Sequence, residues 1–425
     1  MKSSEITFDR ERTLVVVVDT RQDEGWLAED IADEMAELVR ACRGEVVGVV
    51  FCRGDHPTAA HLIGRGKVEE IAGICQATDV KTVVFSQDLK GSQQRNLEEA
   101  LSVKTIDRTQ LILDIFARRA ASQEGKMQVE LAQLEYLLPR LVGKGIALSR
   151  LGGGIGTSGP GETKLEVDRR RIGARITKLK NDLKELTADR AVKRKKRRDQ
   201  GMPLISLVGY TNAGKSTLLN ALTNANQVTQ DALFTTLDPL ARQYVLPNHQ
   251  KVVISDTVGF MHDLPHHLVE SFMATLEEVI EADLLIHVVD ASHAKYRMLH
   301  DSVLQVLRDL KVQDKPTLTV LNKIDLVADR AFLEDFIREV DDSIAISAKT
   351  QENFPNFLES LAERLSSLII SIDVVLPINR MDLINIAHQQ GQVFSVKYYN
   401  DRVHLRAALP HNLAGKFIKL AVKSE

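Results

Sequence analysis

The chain has 425 residues, 44% of them hydrophobic, and a formal net charge of -3 at pH 7; this length suggests about three domains, each with enough apolar residues for a core. No apolar run approaches the length of a transmembrane helix, and the N-terminal residues lack the apolar stretch of a signal peptide, so we expect a soluble cytoplasmic protein rather than a membrane or secreted one. Three cysteines without C-x-x-C spacing, Cys42, Cys52 and Cys75, predict neither a disulfide nor a zinc site.

Residues 1–122 alternate apolar runs of strand length with runs of helical spacing. We expect strands at 14–18, 46–51 and 80–85, and helices at 26–39 and 93–101. This alternation predicts an α/β domain with a mainly parallel sheet. Within it, Ile63-Gly64-Arg65-Gly66-Lys67 is either a loop that contacts phosphate or a solvated turn before a helix.

Residues 123–200 predict an antiparallel helical hairpin with a glycine-rich tip. Apolar residues recur in steps of four and three from Met127 to Leu141, and a second seam runs from Leu165 to Leu186. Pro139 is expected to kink or end the first helix near the tip. Between the helices, eight glycines lie among residues 143–161.

The charge of the chain is concentrated in this hairpin. Residues 162–198 contain 15 Lys and Arg against 6 Asp and Glu, a net charge of +9 that leaves -12 for the rest. This asymmetry predicts a polyanionic partner for one segment, although the run at 190–198 is also consistent with a solvated domain boundary. No aromatic residue lies between Lys144 and Arg171, so the glycine tract is either a flexible linker or a tip that recognises structured RNA by backbone and shape.

Residues 201–370 predict a Ras-like P-loop domain with a mainly parallel sheet. We expect its strands at 204–208, 252–255, 284–289, 317–321 and 344–346, with ligands beyond their carboxyl ends. The first strand leads into a match to G-x-x-x-x-G-K-[ST], which is followed by Thr217 and reads Gly209-Tyr210-Thr211-Asn212-Ala213-Gly214-Lys215-Ser216. Backbone N–H groups of such a loop surround phosphate oxygens, Lys215 supplies a cation, and the Ser216 hydroxyl can ligate Mg²⁺.

Two motifs at the ends of later strands predict which nucleotide base the site binds. Asn322-Lys323-Ile324-Asp325 follows the strand at 317–321, and Ser347-Ala348-Lys349 follows the next strand. The Asp325 carboxylate can accept two parallel hydrogen bonds from the N1–H and exocyclic amine of guanine, which adenine cannot offer. The Lys323 stem can cover the base, and a backbone N–H of 347–349 can reach the base oxygen. The expected ligands are therefore GTP and GDP.

The hydrolytic half of the site is predicted from Asp256-Thr257-Val258-Gly259, which follows the strand at 252–255. A P-loop enzyme needs an Asp near magnesium and a glycine amide near the γ-phosphate at this place. Thr236, within Phe234-Thr235-Thr236-Leu237-Asp238, is the preferred threonine for the magnesium shell. The predicted metal ligands are thus Ser216, Thr236 and Asp256.

The predicted catalytic residues are Lys215, Gly259 and Asn212. Phe260 occupies the position at which Ras-like enzymes use Gln to orient water, so unassisted hydrolysis should be slow and a partner should accelerate it. Asn212 either helps to hold a potassium ion, as in some GTPases that lack the Gln, or is a turn residue. His266 and His267 are adjacent and predict a solvated pair rather than a metal site.

Residues 371–425 predict a small α+β domain. Short strands are expected at 374–376, 393–397 and 403–407, and helices at 381–388 and 413–420. No catalytic constellation is evident there.

Taken together, the nucleotide motifs resemble a translation-factor-class GTPase. Gly159-Pro160-Gly161-Glu162-Thr163-Lys164-Leu165-Glu166 and Ile63-Gly64-Arg65-Gly66-Lys67-Val68-Glu69-Glu70 resemble the HflX family, over about residues 14–368. The resemblance implies a bacterial-type protein that binds the large ribosomal subunit, places the hairpin tip near the peptidyl-transferase centre, and splits stalled or idle ribosomes in its GTP-bound state. We expect the protein to be a monomer. Ser158 stands where the family usually carries Arg, which leaves one expected contact with RNA phosphate open.

Two other functions remain open from the sequence. The chain could be an RNA-remodelling enzyme under nucleotide control, which would need a second site in the N-terminal domain; Arg65 with Lys67 is the candidate. It could also be a membrane-linked GTPase adaptor, against which the lack of a membrane segment counts.

Overall fold

The computed structural model describes residues 10–19, 25–53, 57–141, 164–199, 202–223, 240–248, 250–262, 273–366 and 369–421. These residues form three β-sheets. The chain divides into two compact units, and the division between Lys184 and Glu185 lies within a helix. Among the described helices, none is both long and apolar enough to cross a bilayer. The predicted α/β class is confirmed, while the finer division into four domains stays a prediction.

The N-terminal unit begins with a four-stranded parallel sheet in the order β2-β1-β3-β4. Its elements are β1 (Arg12–Asp19), α1 (Ala28–Ala41), β2 (Glu45–Arg53), α2 (Arg65–Ala77), β3 (Thr82–Phe85), α3 (Gly91–Leu101), β4 (Lys104–Asp107) and α4 (Arg108–Arg119). The β1 sequence RTLVVVVD is β-branched and buried at six consecutive positions, as expected of an inner parallel strand covered on both faces. The predicted parallel sheet is confirmed; β4 and α4 were not predicted.

The predicted hairpin contains two helices, α5 (Gln123–Leu141) and α6 (Lys164–Asp199). Salt bridges join them at Arg175–Glu130, 2.6 Å, and Lys180–Glu135, 2.7 Å. Both pairs are partly exposed, so solvent screens them and each contributes little to stability. Pro139 lies inside α5, which continues to Leu141, so the proline does not end the helix. The glycine tract at 143–161 lies outside the described residues.

The second unit contains a six-stranded sheet in the order β10-β9-β8-β5-β7-β6. Its elements are β5 (Leu204–Gly209), α7 (Lys215–Thr223), β6 (Leu240–Val245), β7 (Lys251–Asp256), α8 (Met273–Ile280), β8 (Leu284–Asp290), α9 (Tyr296–Asp309), β9 (Thr317–Asn322), a short 3-10 helix (Ile324–Leu326), α10 (Ala331–Glu339), β10 (Ser343–Ala345) and α11 (Phe354–Ser366). Neighbouring strands are parallel except β6, which is antiparallel to β7 at the edge. The mainly parallel sheet is confirmed, whereas β6 was not predicted.

The central position of β5 organises this sheet. All six β5 residues are buried, and β7 and β8 flank the strand on either side. Because β5, β7, β8, β9 and β10 are parallel, the loops that follow them meet at one edge of the sheet. The predicted nucleotide motifs lie in these loops.

A small C-terminal sheet completes the second unit, with antiparallel strands in the order β11-β13-β12. Its elements are β11 (Ile369–Pro377), α12 (Met381–Gln390), β12 (Gln392–Tyr398), β13 (Arg402–Pro410) and α13 (His411–Leu420). One face of the sheet packs against both helices, and Leu376, Leu405 and Phe417 are fully buried there. The predicted α+β character is confirmed.

Two buried histidines stack inside the six-stranded domain. His287 on β8 and His300 on α9 have ring centroids 4.8 Å apart and an interplanar angle of 9°. Neither ring nitrogen of His287 has a hydrogen-bond partner among the described residues. Burial lowers the pKa of His287 well below its usual value, and the charges of His300 and Lys215 lower it further. The imidazole is therefore neutral in the folded protein.

This neutral histidine predicts a loss of stability in acid. The unfolded chain binds a proton at His287 near pH 6.5 whereas the folded chain does not, so the free energy of unfolding falls as the pH drops from 7 to 5. We expect urea titrations at pH 7, 6 and 5 to show this progressive fall. His287→Leu should weaken this pH dependence, while His388→Gln, which removes an exposed histidine, should keep it. An equal slope in wild type and His287→Leu would contradict the assignment.

Candidate functional site

The predicted phosphate loop joins β5 to α7, which begins at Lys215. Gly214 has a φ of 94°, and a Cβ at this position would overlap the side-chain amide of Asn322. An L-residue at Gly214 would therefore be strained in its backbone and would also displace a neighbouring loop. Asn212 has a φ of 61°, a left-handed conformation that Asn tolerates in turns.

Lys215 is folded back against its own loop. Its ammonium donates to the carbonyl oxygens of Gly209, at 2.9 Å, and Tyr210, at 2.8 Å, and the side chain is 6% exposed. Burial lowers the Lys215 pKa to about 8, and the nearby charge of Asp256 opposes this fall. The cation is thus incompletely compensated by the protein, and an anion beside it would favour its charged form.

A hydroxyl and a carboxylate meet beside this lysine. Ser216 Oγ donates to Asp256 Oδ2 at 2.7 Å, and both residues are buried. Asp256 ends β7, which pairs with β5, so the sheet places the carboxylate next to the first turn of α7. Hydroxyl and carboxylate oxygens are ligands that Mg²⁺ prefers.

The segment after Asp256 is fixed to β5. Thr257 Oγ1 donates to the Leu207 carbonyl at 2.7 Å, so its hydroxyl binds to the backbone of β5. A Cβ on Gly259 would lie 2.8 Å from Thr211 Cα and 3.1 Å from the Lys215 ammonium. Glycine is therefore needed for this close approach.

Backbone hydrogen bonds also join the phosphate loop to the residue after Gly259. The Phe260 N–H donates to the Gly209 carbonyl at 3.0 Å, and the Thr211 N–H donates to the Phe260 carbonyl at 2.8 Å. The Phe260 side chain is 2% exposed, and Val258 nearby is also buried. The Phe260 ring therefore serves packing and cannot orient a water molecule, which agrees with the prediction for this position.

Asn322 connects three of the predicted loops. Its Nδ2 donates to the Ala213 carbonyl in the phosphate loop at 3.0 Å, and its Oδ1 accepts from the Ala348 N–H at 2.9 Å. The residue is 2% exposed. The sequence assigned Asn322, Ala213 and Ala348 to one site, and the structure brings them into direct contact.

The predicted base-reading residues lie beside Asn322. Asp325 Oδ1 accepts from the Ser347 hydroxyl at 2.7 Å, which orients the carboxylate. Lys323 has a φ of 65°, and its ammonium pairs with Asp290 Oδ2 at 2.6 Å. Lys349 follows in the same loop and is exposed.

Three supporting residues were missed by the sequence reasoning. Asp290 ends β8, so its place at a carboxyl strand end was a usable signal for its contact with Lys323. Arg330 forms two hydrogen bonds with Glu352, at 2.6 and 3.3 Å, and reaches the Ile324 carbonyl at 3.2 Å. No local pattern predicts this pair, because its partners are distant in sequence. Because the pair is exposed, solvent screens it and its contribution to stability is small.

The second candidate phosphate loop is arranged differently. Arg65 pairs with Glu69 at 3.1 Å, and Lys67 pairs with Glu70 at 2.9 Å, both within the exposed first turns of α2. The cations are thus directed to carboxylates of their own helix. For residues 63–67, this geometry favours a solvated turn before a helix over a loop that contacts phosphate.

Several predicted residues lie outside the described part of the chain. They are Phe234, Thr236, Ser158, His266 and His267. Among the described residues, no cluster of three or more His, Cys, Asp or Glu side chains is suited to hold a metal ion. The residue roles in nucleotide and Mg²⁺ binding stay predictions.

A phosphate loop after β5, a buried aspartate at the end of β7 and an Asn-Lys-x-Asp loop after β9 define a P-loop GTPase, an enzyme that binds GTP and hydrolyses it. Family profiles agree: residues 29–117 match "GTP-binding GTPase N-terminal", residues 119–197 match "GTP-binding GTPase Middle Region", and residues 204–323 match "50S ribosome-binding GTPase". The chain belongs to the HflX family of GTPases, as its relatives show.

Two of these relatives are bacterial. The GTPase HflX of Caldanaerobacter subterraneus is 43% identical over 403 residues, which are 95% of this chain and 92% of that protein. The GTPase HflX of Escherichia coli is 41% identical over 381 residues, 87% of each chain. A GTP-binding protein of the archaeon Sulfolobus solfataricus, solved in complex with GDP, is 26% identical and covers 84% of this chain and 99% of its own, with a TM-score of 0.43.

The depressed pKa of Lys215 predicts that GDP affinity depends on pH. A bound phosphate favours the ammonium, so binding takes up a proton once the pH exceeds the pKa of about 8 in the free protein. We expect the dissociation constant to rise about fivefold between pH 7.5 and 8.8, measured with a fluorescent GDP analogue. The range stops there because guanine loses its own N1 proton at higher pH.

Lys215→Met is the control for this pH dependence. It should bind GDP more weakly at every pH and show a flat profile over the same range, because it has no titrating ammonium. A flat profile in the wild type would show that Lys215 does not change its protonation state on binding and is therefore already fully charged in the free protein.

Proposed function

We propose that this chain is a ribosome-associated GTPase that acts as a switch on the large ribosomal subunit. In its GTP-bound form it binds that subunit and separates stalled or idle ribosomes, and hydrolysis stimulated by the ribosome then releases it. The glycine tract at the hairpin tip would contact RNA near the peptidyl-transferase centre. We further propose that the protein acts as a cytoplasmic monomer.

The observation that carries this proposal is the charge of α6. The helix has 36 residues and is therefore about 54 Å long. Arg169, Lys178 and Lys184 are exposed, and within the described residues they form no ion pair. Uncompensated cations along one long helix suit the phosphate backbone of RNA. The match of residues 204–323 to a profile described as "50S ribosome-binding GTPase" supports the same partner.

For the base, we propose that Asp325 accepts the N1–H and exocyclic amine of guanine. The Ser347 hydroxyl already holds one of its oxygens, so the carboxylate is oriented before the ligand arrives. Lys323 would cover the base with its stem while Asp290 holds its ammonium. The backbone N–H of Lys349 lies in the loop that would face the base oxygen, whereas the Ala348 N–H is donated to Asn322 Oδ1.

For the phosphates, we propose that the backbone of residues 209–216, with Thr217, surrounds the β-phosphate and that Lys215 turns from the loop carbonyls to the phosphate oxygens. The Ser216 and Asp256 oxygens fit Mg²⁺, and Thr236 would join them. When bound, the ion would neutralise charge on the phosphates. The Thr257 hydroxyl, held by β5, would keep the Asp256 segment in place.

For hydrolysis, we propose that the Gly259 N–H contacts the γ-phosphate beside Lys215, since a Cβ there would lie 3.1 Å from the ammonium. Phe260 is buried and supplies no water-orienting group, so the ribosome must supply or order one. The left-handed φ of Asn212 is explained by its turn role alone. Faster turnover in potassium than in sodium at matched ionic strength would add an ion-holding role for this residue.

No specific observation favours the RNA-remodelling alternative. It requires a second substrate or nucleotide site in the N-terminal unit, and the cations of its candidate, Arg65 and Lys67, are paired with Glu69 and Glu70. The membrane-linked alternative likewise has no supporting feature among the described residues.

The base assignment predicts a change of specificity in Asp325→Asn. An amide offers one acceptor and one donor, so it loses a bond to the guanine amine and can instead donate to the 2-oxygen of xanthine. We expect GDP affinity to fall about 100-fold and xanthosine diphosphate to bind better than GDP. Asp314→Asn, which removes an exposed carboxylate before β9, should leave both affinities unchanged. Unchanged guanine preference in Asp325→Asn would contradict the assignment.

The ribosome assignment predicts stimulated turnover. Purified large subunits should raise GTP turnover at least about tenfold, because they complete a site that lacks a water-orienting residue. Sucrose gradients with a non-hydrolysable GTP analogue should show 70S ribosomes converted to subunits. Deletion of residues 152–156 should leave GTP binding intact and abolish this conversion. The absence of both stimulation and separation with wild-type protein would overturn the proposal.

A further inference from the structure

We propose that Arg140 is a positioning residue: by its contacts with Asp107 and Tyr136 it anchors the end of α5 to the N-terminal sheet, and so fixes the point from which the glycine tract begins. The anchor itself lies within the N-terminal unit. The consequence for ribosome binding rests on the proposed function.

The side chain of Arg140 makes four contacts. Its Nη2 donates to Asp107 Oδ2 at 2.9 Å and to the Leu89 carbonyl at 2.7 Å, and its Nη1 donates to the Tyr136 carbonyl at 2.9 Å. The guanidinium carbon lies 3.3 Å from the Tyr136 ring centroid. A planar guanidinium suits this combination of stacking and directed hydrogen bonds, which a lysine ammonium cannot reproduce.

Asp107 is the buried centre of the anchor. It is 0% exposed at the end of β4, and it also accepts from the Gln110 N–H at 2.9 Å, the Leu89 N–H at 3.1 Å and the Tyr136 hydroxyl at 2.8 Å. One carboxylate thus joins the start of α4, the loop after β3, and α5. Because the Asp107 carboxylate is fully buried and accepts four hydrogen bonds, the arrangement has little freedom to shift.

A close backbone contact accompanies these hydrogen bonds. Gly91 begins α3, and a Cβ built on it would lie 3.0 Å from Arg140 Cα and 3.3 Å from Arg140 Cβ. The absence of a side chain at Gly91 therefore lets the end of α5 approach the start of α3. This contact does not depend on charge, and it involves the same residue, Arg140.

Because Arg140 lies at the end of α5, the anchor affects the glycine tract that follows this helix. Open α/β sheets usually take ligands beyond the carboxyl ends of their strands, and here the chain's own guanidinium lies at the ends of β3 and β4. Arg140 is followed by Leu141, the last residue of α5, and then by the glycine tract. A binding segment with a fixed base loses less conformational entropy on binding than one with a loose base. Loosening the base should weaken subunit binding and spare the chemistry of GTP hydrolysis.

The double variant Gly91→Cys/Arg140→Cys tests positioning directly. The Cβ atoms at these positions would be 3.3 Å apart, slightly less than the roughly 3.8 Å usual in a disulfide, so after a small outward shift of the end of α5 oxidation can restore the restraint without the guanidinium. The native thiols should interfere little, because Cys52 and Cys75 are buried and burial raises the pKa of Cys42 to about 11.

The measurement is GTP turnover as a function of large-subunit concentration. We expect the reduced double variant to need about tenfold more subunits than wild type for half-maximal stimulation, and the oxidised form to return to within about threefold. Turnover at saturating subunits should stay within about twofold of wild type in both forms. Arg140→Lys should resemble the reduced form, and Arg338→Ala, which removes an exposed arginine of α10, should resemble wild type.

Each outcome decides something. If Gly91→Cys alone resembles wild type, an oxidised double variant as weak as the reduced form would show that the guanidinium acts by direct contact with the subunit, which overturns the proposal. A reduced double variant equal to wild type would show that no anchor is needed, which also overturns it. If wild-type turnover is not stimulated at all, the proposed function fails instead. The anchor is then tested by hydrogen exchange of residues 136–141, which should be faster in the reduced form than in the oxidised form; equal exchange overturns it.

Discussion

The geometry of the nucleotide site depends on two hydrogen bonds of the Asn322 carboxamide. It donates to the carbonyl of Ala213 in the phosphate loop and accepts from the N–H of Ala348 in the base-side loop. A side-chain amide carries its donor and acceptor at a fixed separation, so these two bonds set the distance between the phosphate end and the base end of the site. Gly214 leaves the space for this amide, since a Cβ there would overlap it. Aspartate at 322 would lose the donor and leave the Ala213 carbonyl buried without its bond.

A second constraint couples the phosphate loop to the segment after β7. The reciprocal backbone bonds between Gly209, Thr211 and Phe260 extend the pairing of β5 and β7 into their loops. A movement of Gly259 toward a γ-phosphate must therefore displace the phosphate loop or break these bonds. Burial of the Phe260 ring stabilises the arrangement in which these bonds are kept, so the residue that offers no water-orienting group also keeps the two loops together.

The sequence was most informative where one local cause determines the structure. Continuous apolar runs predicted β5 and β8 because strands buried on both faces need no polar alternation. The sequences of β4, KTID, and β6, LARQYV, are short and mixed, and only their sheet neighbours make them strands. In the site, Asn322, Asp325 and Ser347 were found from spacing, but their mutual hydrogen bonds were not. The pair Arg330–Glu352 and the anchor Arg140–Asp107 arise from tertiary proximity, which no local pattern encodes.

The parallel N-terminal sheet and the mainly parallel six-stranded sheet each have a cation at the carboxyl ends of their strands, with opposite electrostatic results. Lys215 is bonded to neutral carbonyls, and burial lowers its pKa to about 8, so its charge is poorly compensated and an anion beside it is favoured. Arg140 is paired with a buried carboxylate, so its charge is compensated within the chain and an external phosphate gains little from it. The same position in an α/β sheet therefore binds a ligand or holds the chain itself, according to whether the protein supplies the counter-charge. This reasoning supports our proposals that the six-stranded sheet binds the nucleotide and that the N-terminal sheet supports the hairpin.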